Sequence, residues 1–452
     1  RYVLLLRLGP ADVSHQGAIA EFPGGLAAYD ATADHGLAAA LLSSIRSGLS
    51  LRKGDMGTIN AWSTTSLPEL YSGDDAVHPT VMGVEQSNTS VRYGTSLILK
   101  LFRRLEDGVS PELEIGRFLG ERGFKNTPPL AGAIEYHTSS IPEPQTLAIL
   151  RGFVPNQGDA WSYTLATIAP YYDKLDSHPD LDLPRGSHLL DLAGAEVPPA
   201  VQDAVGPYLQ SARLLGKRTA EMHSALASDP ANPAFAPEPF TPEYQGAMHG
   251  SMRALTEEAF RLLRGRVDDL PSETRAEAST LLNHQSDVLA RFEPLSAHPI
   301  EAMRTRCHGD YHLGQILWTG DDFIIIDFEG EPVRSLEERR LKHSPLKDVA
   351  GMLRSFHYAA YSGMFDAITR HGPQEGIELW ADLWQLWISA AYLRSYLDTA
   401  GGAPWLPATS ADLRLLLDAH LLEKAVYELL YEINMRPDWV QIPLKGILQL
   451  LS

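Results

Sequence analysis

Apolar residues change their period along this chain. In the first third they come in short runs of strand length, at 3–8, at 96–102 (Ser-Leu-Ile-Leu-Lys-Leu-Phe), at 132–137 and at 146–154. Two helical stretches interrupt them. One covers 31–47, where Leu37, Leu41, Leu42 and Ile45 recur at helical spacing. The other opens at Ser110-Pro111, a good cap followed by a residue suited to the first turn, and stops at Gly123. Pro23-Gly24-Gly25 and Gly73-Asp74-Asp75 mark turns. Beyond Pro155-Asn156-Gln157-Gly158-Asp159 the spacing becomes helical, over 200–228, 242–263, 273–292, 345–370, 376–399 and 410–435. Within that region two short apolar runs, 315–318 and 323–326, flank Thr319-Gly320-Asp321-Asp322 and predict a hairpin among helices. The pattern predicts an α+β protein, β-rich first and mainly helical afterwards.

The chain has 452 residues, long enough for two or three domains, and its 44% hydrophobic content rules out a disordered polymer. A net charge of -19, from 57 acidic against 38 basic residues, argues against nucleic acid and against anionic membrane surfaces as partners. No apolar run has the length of a membrane span. The single cysteine, Cys307, fits a reducing compartment, and a cytoplasmic location is expected. The first residue is Arg1 rather than methionine, which fits a fragment, a trimmed chain or a piece cut from a longer fusion.

The densest chemistry lies in His308-Gly309-Asp310-Tyr311-His312-Leu313-Gly314-Gln315, followed across the predicted hairpin by Ile326-Asp327-Phe328-Glu329. Phosphoryl transfer asks a protein mainly for positioning. One carboxylate orients the attacking hydroxyl, and hard oxygen ligands hold magnesium against the nucleotide phosphates. Asp310 fits the first role; Gln315, Asp327 and, in reserve, Glu329 fit the second. His-Gly-Asp alone reads better as a turn, and only the combination carries weight. A zinc site from Cys307, His308 and His312 fails on spacing. The chain also lacks the glycine-rich loop with Lys-Ser/Thr that defines P-loop enzymes.

A second constellation surrounds Lys100, which sits among Leu97, Ile98, Leu99, Leu101 and Phe102. An ammonium is costly to bury there unless paired. The helix after it offers Glu112 and Glu114, one on either side of the apolar face of Ile115, Phe118 and Leu119. Helical phase does not separate them, and Glu114 is taken as the partner. The polar turn 85–90, with Ser87, Asn88 and Thr89, lies where a loop covering nucleotide phosphates would lie. Far downstream, Lys424, Tyr427, Glu428 and Tyr431 share one side of a helix opposite the stripe Leu422, Val426, Leu429, Leu430 and Ile433.

Seven blocks resemble the maltokinase family, relatives of the aminoglycoside phosphotransferases: 85–90 (EQSNTS), 99–106 (LKLFRRLE), 153–161 (FVPNQGDAW), 308–315 (HGDYHLGQ), 326–332 (IDFEGEP), 344–356 (SPLKDVAGMLRSF) and 436–446 (RPDWVQIPLKG). The resemblance is strongest to the maltokinase region found fused to trehalose synthase, which makes fusion or association with that enzyme an expectation. It implies a bilobal fold of the eukaryotic-protein-kinase type. An N-terminal α+β cap subdomain would occupy 1–84, a β-rich nucleotide-binding lobe 85–155, and a mainly helical lobe 156–452, with the catalytic hairpin at 307–332. It implies ATP and Mg2+ as cofactors and maltose as the small-molecule substrate, with α-maltose 1-phosphate formed for glycogen or α-glucan synthesis. ATP would be bound by Lys100, Glu114, Ser87, Asn88, Thr89, Phe153 and Val154. The sugar would meet Asp310, His312, Lys424, Tyr427, Glu428 and Tyr431. Unlike stand-alone members, the chain has no tryptophan-rich opening, so its cap is expected to be incomplete. Two rivals remain: a kinase for another sugar such as glucosamine, or for an aminoglycoside, and an inactive kinase-like binding module. Lys424 speaks against a cationic substrate, and the presence of Lys100, Asp310, Gln315 and Asp327 together speaks against decay.

Overall fold

The computed structural model describes residues 2–10, 18–31, 34–52, 57–72, 79–84, 88–174, 183–184 and 186–451. The turn at 73–75 and residues 85–87, including Ser87, lie outside the described residues. The chain divides into two compact units, one formed by Arg1–Asn156 with Ile324–Arg340, the other by Gln157–Phe323 with Leu341–Ser452.

The first unit is built on strands. β1 (Leu6–Pro10), β2 (Ala18–Phe22) and β3 (Leu26–Asp30) form a small antiparallel sheet in the order β1-β3-β2. β4 (Ser50–Arg52), β5 (Thr58–Ser63), β6 (Pro79–Val84), β7 (Asn88–Tyr93), β8 (Leu97–Phe102), β9 (Leu130–His137) and β10 (Gln145–Gly152) form a seven-stranded sheet, ordered β4-β5-β9-β10-β8-β7-β6. The expected boundary at 84/85 therefore falls inside one sheet, and strands from the expected cap subdomain pair with strands of the nucleotide lobe.

Each face of this sheet has its own helix. His35–Ser47, capped by Asp34 and closed by Gly48 in the left-handed region at φ 64°, packs Ala38, Leu42 and Ile45 with Leu97, Leu99 and Leu101. The helix Pro111–Glu121 sends Leu113 to the other face, with Leu130, Ala133 and Ile149. Strict alternation along β8 decides where Lys100 goes. Leu97, Leu99 and Leu101 take the first face, so Lys100, paired in register with Ile149 and Ser90, takes the second.

The second unit is helical. Leu346–His371 forms its centre and is buried around most of its circumference, from Val349 through Phe356 to Ala367. The expected helix 200–228 is broken. Gly206, at φ 68°, ends Pro199–Val205, and Pro207, which has no N–H to continue the ladder, precedes a new helix at Tyr208–Leu226. The expected helix 273–292 divides into Ser272–Asn283 and Gln285–Phe292 where His284 leaves helical geometry. Ile377–Ala400 and Ser410–Met435 occupy the ranges the spacing predicts. The C-terminal helix Gln441–Leu451 was not anticipated.

Close packing between helices rests on small residues. A Cβ placed on Gly216 would lie 2.2 Å from the carbonyl oxygen of Tyr392, in the backbone of the facing helix. A backbone atom cannot step aside as a flexible side chain can. Gly216→Ala is therefore expected to destabilise the fold by about 1–3 kcal/mol, the usual cost of overpacking, read as a lowered midpoint in urea unfolding.

Candidate active site

In the first unit, Lys100 is the centre of a charge cluster. Its Nζ donates to Glu112 Oε2 at 3.0 Å and to Asp327 Oδ1 at 2.6 Å, and it also pairs with Glu329. Its side chain keeps 19% exposure. Burial alone would lower the ammonium's pKa. The carboxylates of Glu112, Asp327 and Glu329 outweigh that and hold it well above the ordinary lysine range. Glu329 is raised as well: burial, with Glu112 and Asp327 beside it, lifts its carboxyl to about 7 despite Lys100.

The partner of Lys100 is Glu112, which corrects the expectation of Glu114. Glu112 shares a helical face with Leu113 and Ile115 and is buried against the sheet. Its second oxygen accepts from Arg151 Nε at 3.2 Å, and Arg151 Nη2 donates to the backbone oxygen of Glu112 at 2.9 Å. Glu114 points to another side of the helix and is paired with Arg340 at 2.9 Å. Arg151 was missed in the sequence; it was legible only as a charged residue in an otherwise apolar strand.

Asp327 reaches Lys100 by an unusual backbone turn. At φ 64° it is the only non-glycine residue with positive φ among the described residues. This conformation is uncommon outside glycine, although aspartate tolerates it better than most residues. The next turn closes with Glu329 N–H donating to Asp327 O at 2.8 Å, while the Phe328 ring between them is buried. Both carboxylates are thereby directed to Lys100, and oxygen atoms of Glu112, Asp327 and Glu329 lie within 4.8 Å of one another.

Asn88 and Thr89 depart from expectation. They occupy the first two positions of β7, both buried, and the Thr89 hydroxyl accepts from Arg103 Nε at 2.8 Å. Strand pairing begins before the polar composition suggests, so Thr89 faces the interior and is not offered to a phosphate. Phe153 and Val154 directly follow β10; Phe153 N–H donates to Ser96 O at 2.8 Å, and Arg92 lies over the Phe153 ring.

In the second unit, Asp310 sits on a loop fastened to the helix Leu346–His371. Buried Asp348 accepts from the backbone N–H of His308 at 2.7 Å and of Gly309 at 3.0 Å. Ser355 Oγ accepts from Leu313 N–H at 3.1 Å. Gly351, between them on the same helical face, has no side chain: a Cβ there would lie 2.6 Å from Tyr311 O. Behind the loop, His223 Nε2 lies 3.1 Å from Asp348 and its Nδ1 3.0 Å from the Tyr396 hydroxyl. Burial would raise the Asp348 carboxyl, yet His223, His308 and the Gly309 N–H together hold it below the usual aspartate range. Asp348 and Ser355 lie within a block noted in the sequence, but their role was not visible there because their partners are backbone amides.

Around Asp310, His312 Nε2 lies 3.8 Å and Lys424 Nζ 3.9 Å from its oxygens. His312 Nδ1 accepts from Gly314 N–H at 3.1 Å and starts the short turn Leu313–Gln315. Lys424 lies over the Tyr427 ring at 4.9 Å. One turn on, Glu428 accepts from Arg354 Nε at 2.8 Å, with Arg354 Nη2 at the same distance. The Arg354 guanidinium packs close to the backbone of Gly446, where an added Cβ would lie 2.2 Å from its Nη1. Another turn on, Glu432 is gripped by Arg436 at 2.9 and 2.6 Å and accepts from the Tyr358 hydroxyl at 3.1 Å, while Tyr431 is exposed.

A carboxylate whose pKa is depressed on folding stabilises the fold above its unfolded value and loses that contribution as pH falls through its folded value. Asp348 is such a group. Wild-type protein should lose stability as pH drops below about 4, partly through this residue. Asp348→Ala is expected to be destabilised by about 3–5 kcal/mol near neutrality and to show a shallower acid limb in urea unfolding. An acid limb of unchanged steepness would contradict this assignment.

Residues 197–383 match the phosphotransferase enzyme family known as APH. A glucosamine kinase from Streptacidiphilus jiangxiensis is 27% identical over 377 residues, covering 81% of this chain and 72% of that protein. Another glucosamine kinase, from Mycolicibacterium smegmatis, is 26% identical over 280 residues, covering 61% of this chain and only 58% of that protein. Among solved structures, a glucosamine kinase in complex with glucosamine, ADP and inorganic phosphate aligns with a TM-score of 0.64 at 22% identity, over 96% of this chain and 86% of that one. That likeness establishes the fold. The matched segment resembles that phosphotransferase family, and the architecture of the chain is a kinase-like fold.

Proposed function

We propose that this protein is an ATP-dependent kinase that phosphorylates a sugar hydroxyl, with maltose as acceptor and α-maltose 1-phosphate as product. The observation that carries the kinase reading is the cluster at Lys100: a partly buried strand lysine, a helix glutamate that steadies it, and two further carboxylates on one tight turn. A lysine so placed binds nucleotide phosphates as a point charge. Glu112, itself fixed by Arg151, sets its position.

The donor set suits a hard cation. Asp327 and Glu329 supply carboxylate oxygens, and the sequence pattern adds the Gln315 amide. Bound magnesium would supply charge neutralisation at the phosphates. Asp310 orients the acceptor hydroxyl and receives its proton, while the backbone bonds of Asp348 keep the Asp310 loop from drifting. Phe153 and Val154 are assigned to the nucleotide by their place after β10. His312, Lys424, Tyr427, Glu428 and Tyr431 are assigned to the sugar, whose hydroxyls suit fixed polar groups beside aromatic rings.

The maltose assignment is supported by the sequence blocks. The names of the relatives favour a second reading, glucosamine as acceptor. ADP release measured with maltose, glucose and glucosamine in parallel separates the two: maltose should support turnover, and glucosamine turnover without maltose turnover would replace the first reading by the second.

Three further outcomes are expected. Asp310→Asn should lower kcat by about 10²–10⁴-fold while binding of a nucleotide analogue persists. Glu112→Gln should weaken nucleotide binding by about tenfold, as loss of a 1.4 kcal/mol positioning interaction would, whereas Glu114→Gln leaves it near wild type. Chelation of divalent cations should abolish turnover, and added magnesium should restore it.

A further inference from the structure

We infer that Lys424 is a specificity-determining residue that confines the acceptor to uncharged sugars and turns away protonated amino sugars. This rests on the sugar-kinase reading above and adds to it the charge class of the substrate.

Capture of an ammonium requires a carboxylate with a charge to spare near the reacting hydroxyl. Within the second unit, the acidic groups Glu423, Glu428 and Glu432 of Ser410–Met435 are each already paired with a basic side chain. Glu428 is bound by Arg354, whose Nε and Nη2 both lie 2.8 Å from its carboxylate. Glu432 is bound by Arg436 through both of its oxygens. Glu423 turns to His420 at 3.1 Å. The group nearest the Asp310 carboxylate on this helix is itself an ammonium, Lys424 Nζ at 3.9 Å, backed by the Tyr427 ring.

An amino sugar presenting its hydroxyl to Asp310 would bring a second positive charge within a few ångströms of Lys424, in a partly buried setting where like charges repel far more than in water. A neutral sugar meets no such cost. Its hydroxyls can accept from Lys424 and Arg354 and donate to Glu428, and its apolar ring face can lie on tyrosine. Removing the Lys424 charge leaves Asp310 less compensated and so more hospitable to an ammonium. This selectivity runs against the names of the relatives and depends on one side chain.

The test is the ratio of kcat/KM for glucose and maltose to that for glucosamine, by ADP release, in wild type, Lys424→Gln and Lys424→Arg. A nucleotide-analogue titration of each variant serves as the check on folding. At about pH 6.5, where the sugar amine is protonated, wild type should favour the neutral sugars by about a hundredfold or more. At about pH 9, where the amine is largely neutral, the ratio should narrow. The ratio itself cancels any pH effect on the enzyme common to both substrates. Lys424→Gln should bring the ratio at about pH 6.5 to within about tenfold, and Lys424→Arg should preserve it. ATP consumption with glucosamine used as well as the neutral sugars, or a ratio unmoved by Lys424→Gln, overturns the role of Lys424 and leaves the sugar-kinase reading standing. Failure of wild type to phosphorylate any sugar in the panel overturns that reading and this inference with it.

Discussion

A partly buried ammonium is the constraint from which the first unit takes its order. β8 must place Lys100 opposite the leucines that fill the core, and a positive charge in that position is tolerated only if anions surround it. Glu112 comes from the helix on that face, Asp327 and Glu329 from a segment more than two hundred residues later in the chain. The pairing of Lys100 with Asp327 therefore ties a late segment of sequence to an early sheet. It also accounts for the positive φ of Asp327: the side chain must turn back toward Lys100 while Phe328 fills the core and Glu329 follows. Strain at one residue is accepted where several charges are satisfied by it.

The second unit solves a different problem, that of holding a loop still. The segment carrying Asp310 has little regular structure, so its geometry must be imposed from outside. The helix Leu346–His371 does this with three positions on one face: a carboxylate for two amides, a glycine for close approach, and a serine for a third amide. Asp348 can serve because His223, itself bonded to the Tyr396 hydroxyl, pairs with it from behind. Positioning of this kind uses buried polar groups, and each is paired, which keeps the cost of burying them low.

Much of this was legible in the chain and some was not, and the difference is physical. The helix Ser410–Met435 follows from its spacing because burial of one stripe decides it. Lys100 stood out because a charge within an apolar strand demands compensation. The choice between Glu112 and Glu114 was not legible, since both flank the same apolar face. It is made by Arg151 and Arg340, which are distant in sequence and claim one glutamate each. Thr89 misled because a run of small polar residues reads as a turn, whereas pairing of β7 with β8 extends the strand through it. The break at Gly206-Pro207 was written in residue types that end helices, but apolar spacing continues across it and masks the break. The expected division at 84/85 followed a change in texture, while hydrogen bonding joins strands from both sides of it.

Similarity at 27% identity carries the fold further than it carries the substrate. A fold is fixed by many apolar positions, any of which can vary in kind while keeping volume and pattern. Acceptor choice is fixed by a few charges around one carboxylate, where a single exchange reverses the sign of what is favoured. The face of Ser410–Met435 shows how such a choice can be built without changing the scaffold. Its carboxylates Glu428 and Glu432 are paired with arginines and Glu423 with a histidine, and Lys424 is the residue of this helix that approaches the Asp310 carboxylate. Under the proposed reading, paired carboxylates would still order sugar hydroxyls while attracting a cation less, so one scaffold would serve acceptors of different charge through a few side chains.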